Sequence, residues 1–223
     1  MRDTLARQQQ ADKSGAPGEG ARWDVWPAIP SHSKRLLDLG CGMGSGFAAL
    51  RERGITVIGA DVNPIFVTRA DELLDCAVLL NVEQTDWPEG WRNSFDVVVY
   101  ADVLEHLVDP WESLRRTHSL LAPGGCVVAS IPNVRQWRLL TKLALFGTWD
   151  YRIGVGTLQR EHVRFFTRRT IRLMFEECGY RVEFLWPRPT FHLRSGDRML
   201  DRITLGRIPD LLFGSYTVRA WPR

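Results

Sequence analysis

Apolar positions along this 223-residue chain fall into two repeating patterns. Short, nearly unbroken apolar runs recur at Arg35–Leu39, Thr56–Ala60, Cys76–Leu80, Phe95–Tyr100 and Cys126–Ile131, each of strand length. Between them lie stretches with helical spacing, at Gly46–Arg53, Pro64–Leu74, Trp111–Leu121 and Thr170–Cys178, the last stopped by Gly179. Pro123-Gly124-Gly125 predicts the turn into the fifth strand, and two late strands are expected at Tyr180–Trp186 and Ser215–Trp221. A run such as Val97-Val98-Val99 is apolar on both faces, as a central parallel strand is. Strands alternating with helices predict an α/β fold, a parallel sheet covered on both faces. No internal repeat is present.

Two stretches fall outside this rhythm. Residues 1–21 are rich in Gln, Gly, Ala and charge, without periodicity, and read as a disordered tail. The packed domain is expected over 22–223, opening at Trp23-Asp24-Val25-Trp26. A long insertion at 132–166, rich in Trp, Arg and Leu, follows the fifth strand. Insertions of this length are usually functional. Open α/β sheets bind ligands beyond the carboxyl ends of their strands, so this one is expected to cover the site.

Composition narrows the class. Apolar residues make up 44% and charged residues 25%, the mix of a soluble globular domain. No apolar run approaches the ~18 residues of a spanning helix, and the N-terminus lacks a signal-peptide core, so a cytoplasmic location is expected. Cys41, Cys76, Cys126 and Cys178 lie far apart, which excludes zinc-ribbon and thioredoxin motifs and leaves buried reduced thiols. The net charge of +3 conceals an asymmetry: residues 1–133 carry net −6 and residues 134–223 net +9. The basic half is either a solvated face or an attraction for something anionic.

The segment Asp38-Leu39-Gly40-Cys41-Gly42-Met43-Gly44-Ser45-Gly46 joins the first strand to a helix. Glycines there let a ligand approach the backbone. The dinucleotide spacing Gly-x-Gly-x-x-Gly fails, because Ser45 and Phe47 stand where its third glycine would be, and no Gly-Lys-Ser/Thr is present. Asp38, just before the loop, would repel a pyrophosphate but suits an ammonium or sulfonium. The second strand runs into Asp61, and a carboxylate there can take both hydroxyls of a ribose.

These residues resemble the class I S-adenosylmethionine-dependent methyltransferases, over the chain from about Trp23 to its end. The resemblance implies a Rossmann-like, seven-stranded, mostly parallel sheet whose last strand is antiparallel, with S-adenosyl-L-methionine as cofactor. It implies that Asp38, Gly40, Cys41, Gly42 and Gly44 cradle the methionine part and that Asp61 holds the ribose. Val62 would pack on adenine. Asn81, followed by Val82, stands where the family usually has an Asp at the adenine amino group. Tyr100 and Ala101 would line the sulfonium side. Tyr100–Leu107, Ser130–Asn133 and Glu161–Thr167 resemble one branch, that of ubiquinone-biosynthesis O-methyltransferases and bacterial enzymes modifying sugars or envelope glycans. O-methylation of a small molecule, lipid precursor or glycan is the expectation that follows.

A hydroxyl acceptor must lose a proton, and His162 and His106 are the candidate bases. If Asp102–Leu107 opens as a helix, Asp102, Glu105 and His106 share one face. Two carboxylates and an imidazole on one face can bind a divalent cation. The similar branch includes small-RNA 2′-O-methyltransferases, which carry Glu-x-x-Glu-His with a later His and use magnesium; this resemblance implies that Asp102 takes the place of the first Glu and that His162 is the later His of a site for a cation such as magnesium. In the insertion, Val134–Phe146 as a helix gathers Trp137, Leu140 and Ala144 on one side, with Arg135, Arg138 and Lys142 near its edge. That is either a lid or a peripheral contact with an anionic membrane surface at the inner membrane face. A nucleic-acid methyltransferase is one rival, but no Asn-Pro-Pro-aromatic motif or nucleic-acid-binding module supports nucleic acid as a partner. A non-catalytic S-adenosylmethionine-binding protein is the other.

Overall fold

The computed structural model describes residues 20–151, 157–187 and 209–223. Its strands are β1 (Arg35–Leu39), β2 (Thr56–Asp61), β3 (Cys76–Leu79), β4 (Phe95–Ala101), β5 (Leu121–Pro132), β6 (Tyr180–Pro187) and β7 (Ser215–Pro222). The described α-helices are α1 (Pro64–Leu73), α2 (Pro110–Thr117), α3 (Trp137–Phe146) and α4 (Arg168–Glu177). One sheet runs in the order β3-β2-β1-β4-β5-β7-β6. The pairs from β3 to β5 are parallel, and β7 lies antiparallel between β5 and β6. This is the expected seven-stranded sheet with an antiparallel last strand.

Period-two alternation divides the strand side chains between two cores. Leu37, Leu39, Val98, Tyr100, Val127 and Ala129 face Leu114 of α2 and Ile171, Met174 and Phe175 of α4. Leu36, Val57, Val97, Val99 and Val128 face Trp26, Phe47, Leu50, Ala70 and Leu74. Three of the four described α-helices start where a polar side chain satisfies a free N–H group. Asn63 accepts from the Ile65 N–H, Asp109 from that of Glu112, and Thr167 forms a capping box with Thr170. Pro64 and Pro110 occupy first-turn positions, where a missing N–H does no harm.

Several expected boundaries shift. The helix expected to reach Leu121 ends at Thr117, and β5 begins at Leu121. Pro123-Gly124-Gly125 lies within β5: the register slips there, from Phe95↔Leu121 to Val97↔Cys126. A Cβ on Gly125 would sit 2.7 Å from the Phe95 carbonyl, so the bulge needs glycine at that position. The element expected at Gly46–Arg53 is a 3₁₀ helix over Ala48–Arg53. The insertion helix starts three residues late, at Trp137. Residues 1–19 of the expected tail lie outside the described residues. Ala21 already packs on the core, and the Arg22 N–H donates to the Gly46 carbonyl at 3.0 Å.

The sheet changes its winding direction between β1 and β4. Leu39 is paired with both Ala60 and Tyr100, so β1, β2 and β4 end level and their following loops meet at one crevice.

Candidate active site

The loop after β1 is pinned from β2. The Gly40 and Cys41 N–H groups donate to the Ala60 carbonyl at 2.7 and 3.1 Å. The Gly42 N–H donates to Asp61 Oδ2 at 2.9 Å, and Oδ1 accepts the Asn63 N–H at 2.9 Å. Asp61 therefore ties the glycine loop to the start of α1. Gly40 (φ 76°) could carry no side chain, since a Cβ would lie 2.5 Å from Val103 Cγ2. Gly42 (φ 54°) has open space where its Cβ would be, so bare backbone faces the crevice. Gly44 instead backs onto Ala70 of α1. Beside Asp61, Val62 is 62% exposed, an apolar surface at the rim that nothing in the fold requires.

Asp38 is buried under this loop, 3% exposed, and its Oδ1 accepts no hydrogen bond among the described residues. Burial pushes its carboxyl up to about 7; nearby Arg22 pulls it down, and Asp61 pushes it further up. The Arg22 guanidinium donates through Nε and Nη2 to Asp24 and through Nη2 to Ser130 Oγ at 2.8 Å, and Nη2 lies 3.2 Å from Asp102 Oδ2. Sequence reasoning missed Arg22, which stands at the edge of a stretch without periodicity and meets its partners only through the fold.

Across the crevice, one ligand atom each from Glu105, His106 and His162 lies within 4.8 Å of the others. Two segments bring them together: a 3₁₀ turn at Leu104–His106, and the returning insertion, whose Val163 and Arg164 N–H groups donate to the Glu105 carbonyl. His162 Nδ1–H donates to the Thr157 carbonyl at 2.9 Å and His106 Nδ1–H to that of Glu161 at 3.1 Å. A carbonyl only accepts, so both Nδ1 atoms carry a proton, and in the neutral ring the lone pair lies on Nε2. Burial lowers the pKa of His162, with the neighbouring His106 adding to the effect and the Thr157 contact opposing it.

The expected residue sets need correction at several points. Asp102 does not join the metal-like cluster. It has a left-handed backbone (φ 58°) rather than a helical one, and its carboxylate pairs with Arg22 and Ser130. Tyr100 is fully buried, and its hydroxyl donates to Thr117 Oγ1 at 2.7 Å; its side chain belongs to the core under α2 and cannot line the sulfonium side. Val82 is likewise a core side chain, with its carbonyl taken by Arg116. The Asn81 amide oxygen accepts the Glu83 N–H at 3.0 Å, which closes a turn and leaves its second lone pair for another donor. Cys41 is buried, its thiol pushed up by burial and by Asp38 and Asp61, and is an inert packing group. Ala101 is half-buried at the end of β4.

The sequence profile of a family described as a methyltransferase domain matches residues 4–184. The chain belongs to that family. Among curated relatives, a ubiquinone biosynthesis O-methyltransferase of Pseudomonas aeruginosa is 36% identical over 105 residues, which is 45% of this chain and 45% of the relative. The chain thus matches less than half the length of that relative. Solved structures superpose over nearly the whole chain. A SAM-dependent methyltransferase from Archaeoglobus fulgidus superposes with a TM-score of 0.63 at 19% identity, covering 97% of this chain and 98% of the other. The CcbJ methyltransferase from Streptomyces caelestis superposes with a TM-score of 0.65 at 17% identity, covering 96% and 95%. At these identities the structural likeness speaks for the fold.

Proposed function

We propose that this chain transfers a methyl group from S-adenosylmethionine to a hydroxyl of a small molecule, lipid precursor or glycan. The observation that carries the reading is the bare Gly42 backbone held by Asp61 beside the exposed Val62. The residues fit the cofactor. Asp61 oxygens retain lone pairs for ribose hydroxyls, Val62 offers an apolar face to adenine, and Asp38, buried beneath the loop, puts a negative charge under the ammonium. Arg22 supplies a counter-charge for the carboxylate. The bound cofactor supplies a methyl group on a sulfonium, an electrophile needing no activation. The protein's part is to bring the acceptor oxygen in line and take its proton. His162 Nε2 is suited to that, since burial keeps the imidazole neutral.

A second role for the cluster has its own support. Glu105, His106 and His162 offer one carboxylate and two imidazole nitrogens, which would hold a divalent cation and lower the acceptor's pKa. Without Asp102 the set has a single oxygen ligand, which suits manganese or zinc better than magnesium. The test is an acceptor screen with radiolabelled cofactor, scored by mass, with and without chelator. The base reading expects full turnover in chelator; the cation reading expects its loss and restoration by metal. In either case the absence of labelled product from hydroxyl acceptors contradicts O-methylation. If His162 is the base, His162→Gln lowers kcat by about 10²–10⁴-fold. Wild-type activity then falls with acidity only below the ordinary histidine range, because the pKa is lowered. A wild-type rate that already falls above that range contradicts the assignment.

The insertion supports a peripheral membrane contact. α3 buries none of its residues, and Leu145 and Phe146 are 71% and 72% exposed. Arg138 and Lys142 lie on the same helix, which carries no acidic residue. No described helix is long and apolar enough to cross a membrane. A lid would bury its apolar face on the site, whereas a surface helix presents it outward. Wild-type protein is expected to float with anionic vesicles at low salt, and Leu145→Glu with Phe146→Glu to stay behind. Wild type remaining in the soluble fraction contradicts this contact.

A further inference from the structure

Asp102 follows β4 in a left-handed conformation (φ 58°), uncommon for a residue with a side chain. A ring of polar bonds holds it there. Ser130 Oγ donates to Asp102 Oδ1 at 2.6 Å, and the Asp102 N–H donates to the Ser130 carbonyl at 3.2 Å. Arg22 Nη2 closes the ring, 3.2 Å from Asp102 Oδ2 and 2.8 Å from Ser130 Oγ. Ser130 is fully buried. Arg22 stands on a segment that lies along the glycine loop. Its N–H and the Trp26 Nε1–H both donate to the Gly46 carbonyl at 3.0 Å, and Gly20 backs onto Ser45. The guanidinium thus ties that segment, across the loop, to the ends of β4 and β5.

We propose that Asp102 and Ser130 are positioning residues that hold Arg22 over the glycine loop, so that the segment around Arg22 closes the methionine end of the cofactor site. This rests on the cofactor reading given above. The charge on Asp102 is engaged there, and its carboxylate is not among the ligand atoms that Glu105, His106 and His162 bring together. An isolated guanidinium would swing among rotamers. Fixed by a carboxylate on each side and a buried hydroxyl between, it presents one orientation to an incoming carboxylate.

The test is calorimetric titration of S-adenosylhomocysteine into wild type, Asp102→Asn, Ser130→Ala, Arg22→Ala and the Arg22→Ala/Asp102→Asn double variant. Steady-state kinetics accompany the titrations once an acceptor is in hand. Asn tolerates a left-handed backbone, so Asp102→Asn removes charge with little change of shape. It is expected to weaken binding about tenfold, the size of one charge-assisted bond, and to raise the KM for S-adenosylmethionine similarly. The kcat is expected to change less than about threefold, because no reacting atom is touched. Ser130→Ala, which leaves the charge in place, moves affinity in the same direction. In the Arg22→Ala background, Asp102→Asn is expected to add less than about twofold. Equal losses in both backgrounds, or wild-type affinity in both Asp102→Asn and Ser130→Ala, overturn the inference and leave the cofactor reading standing. Absence of binding by the wild type overturns both.

Discussion

Asp38→Asn is expected to stabilise the ligand-free protein by about 2–4 kcal/mol at pH 8 while weakening its hold on the cofactor. The carboxyl is buried and held near 7, against an ordinary value of 3.8. Burial is the largest cause, Arg22 opposes it and Asp61 reinforces it. A group whose pKa is raised on folding favours the folded state fully below its unfolded value. That contribution is lost as pH rises through the folded value. Wild-type stability should therefore fall between about pH 4 and pH 8, and Asn, which never ionises, should remove that slope. Urea unfolding at pH 5 and pH 8 measures it. Parallel pH dependences in the two proteins would contradict the buried-acid account. On the proposed reading, the charge of Asp38 acts on the ammonium of the cofactor. Asn supplies no charge, so ligand-induced stabilisation by S-adenosylhomocysteine should shrink in the variant even as its own Tm rises.

Asp61→Ala should weaken cofactor binding by about 1.5–3 kcal/mol, the range for hydrogen bonds to a charged group. The upper end is expected, because one carboxylate serves two purposes. It holds the Gly42 and Asn63 N–H groups at 2.9 Å and retains lone pairs for a ribose. Its removal frees the loop that the ligand must lean on. Equilibrium dialysis with labelled S-adenosylmethionine measures the loss. Unchanged affinity would show that the ribose contact lies elsewhere.

Much of this architecture is written in local pattern. β1, β2 and β4 were legible because central strands are apolar runs with sharp ends, and the loop from Asp38 to Gly46 because glycine spacing is a backbone requirement. The side-chain face of Tyr100 was legible too, since period two places it with Val98 in the core. Other features had no local signature. The β5 bulge depends on the Phe95 carbonyl of the neighbouring strand, which a Pro-Gly-Gly read alone cannot reveal. Asp102, Glu105 and His106 have helical spacing, but Asp102 turns left-handed and its carboxylate is drawn to Arg22, 80 positions away in the sequence. Arg22 itself has meaning only once β4 and β5 stand beside it. His162 was legible as a motif residue, whereas its tautomer follows from the Thr157 carbonyl within the insertion.

The central claim is that S-adenosylmethionine sits on the glycine loop against Asp61. Ultraviolet cross-linking of methyl-labelled S-adenosylmethionine to the wild-type protein, followed by tryptic mapping, tests it most directly. The account predicts label on the peptide Leu36–Arg51 or Gly54–Arg69, displaced by unlabelled S-adenosylhomocysteine. Label confined to other peptides, or no displaceable label, would contradict it.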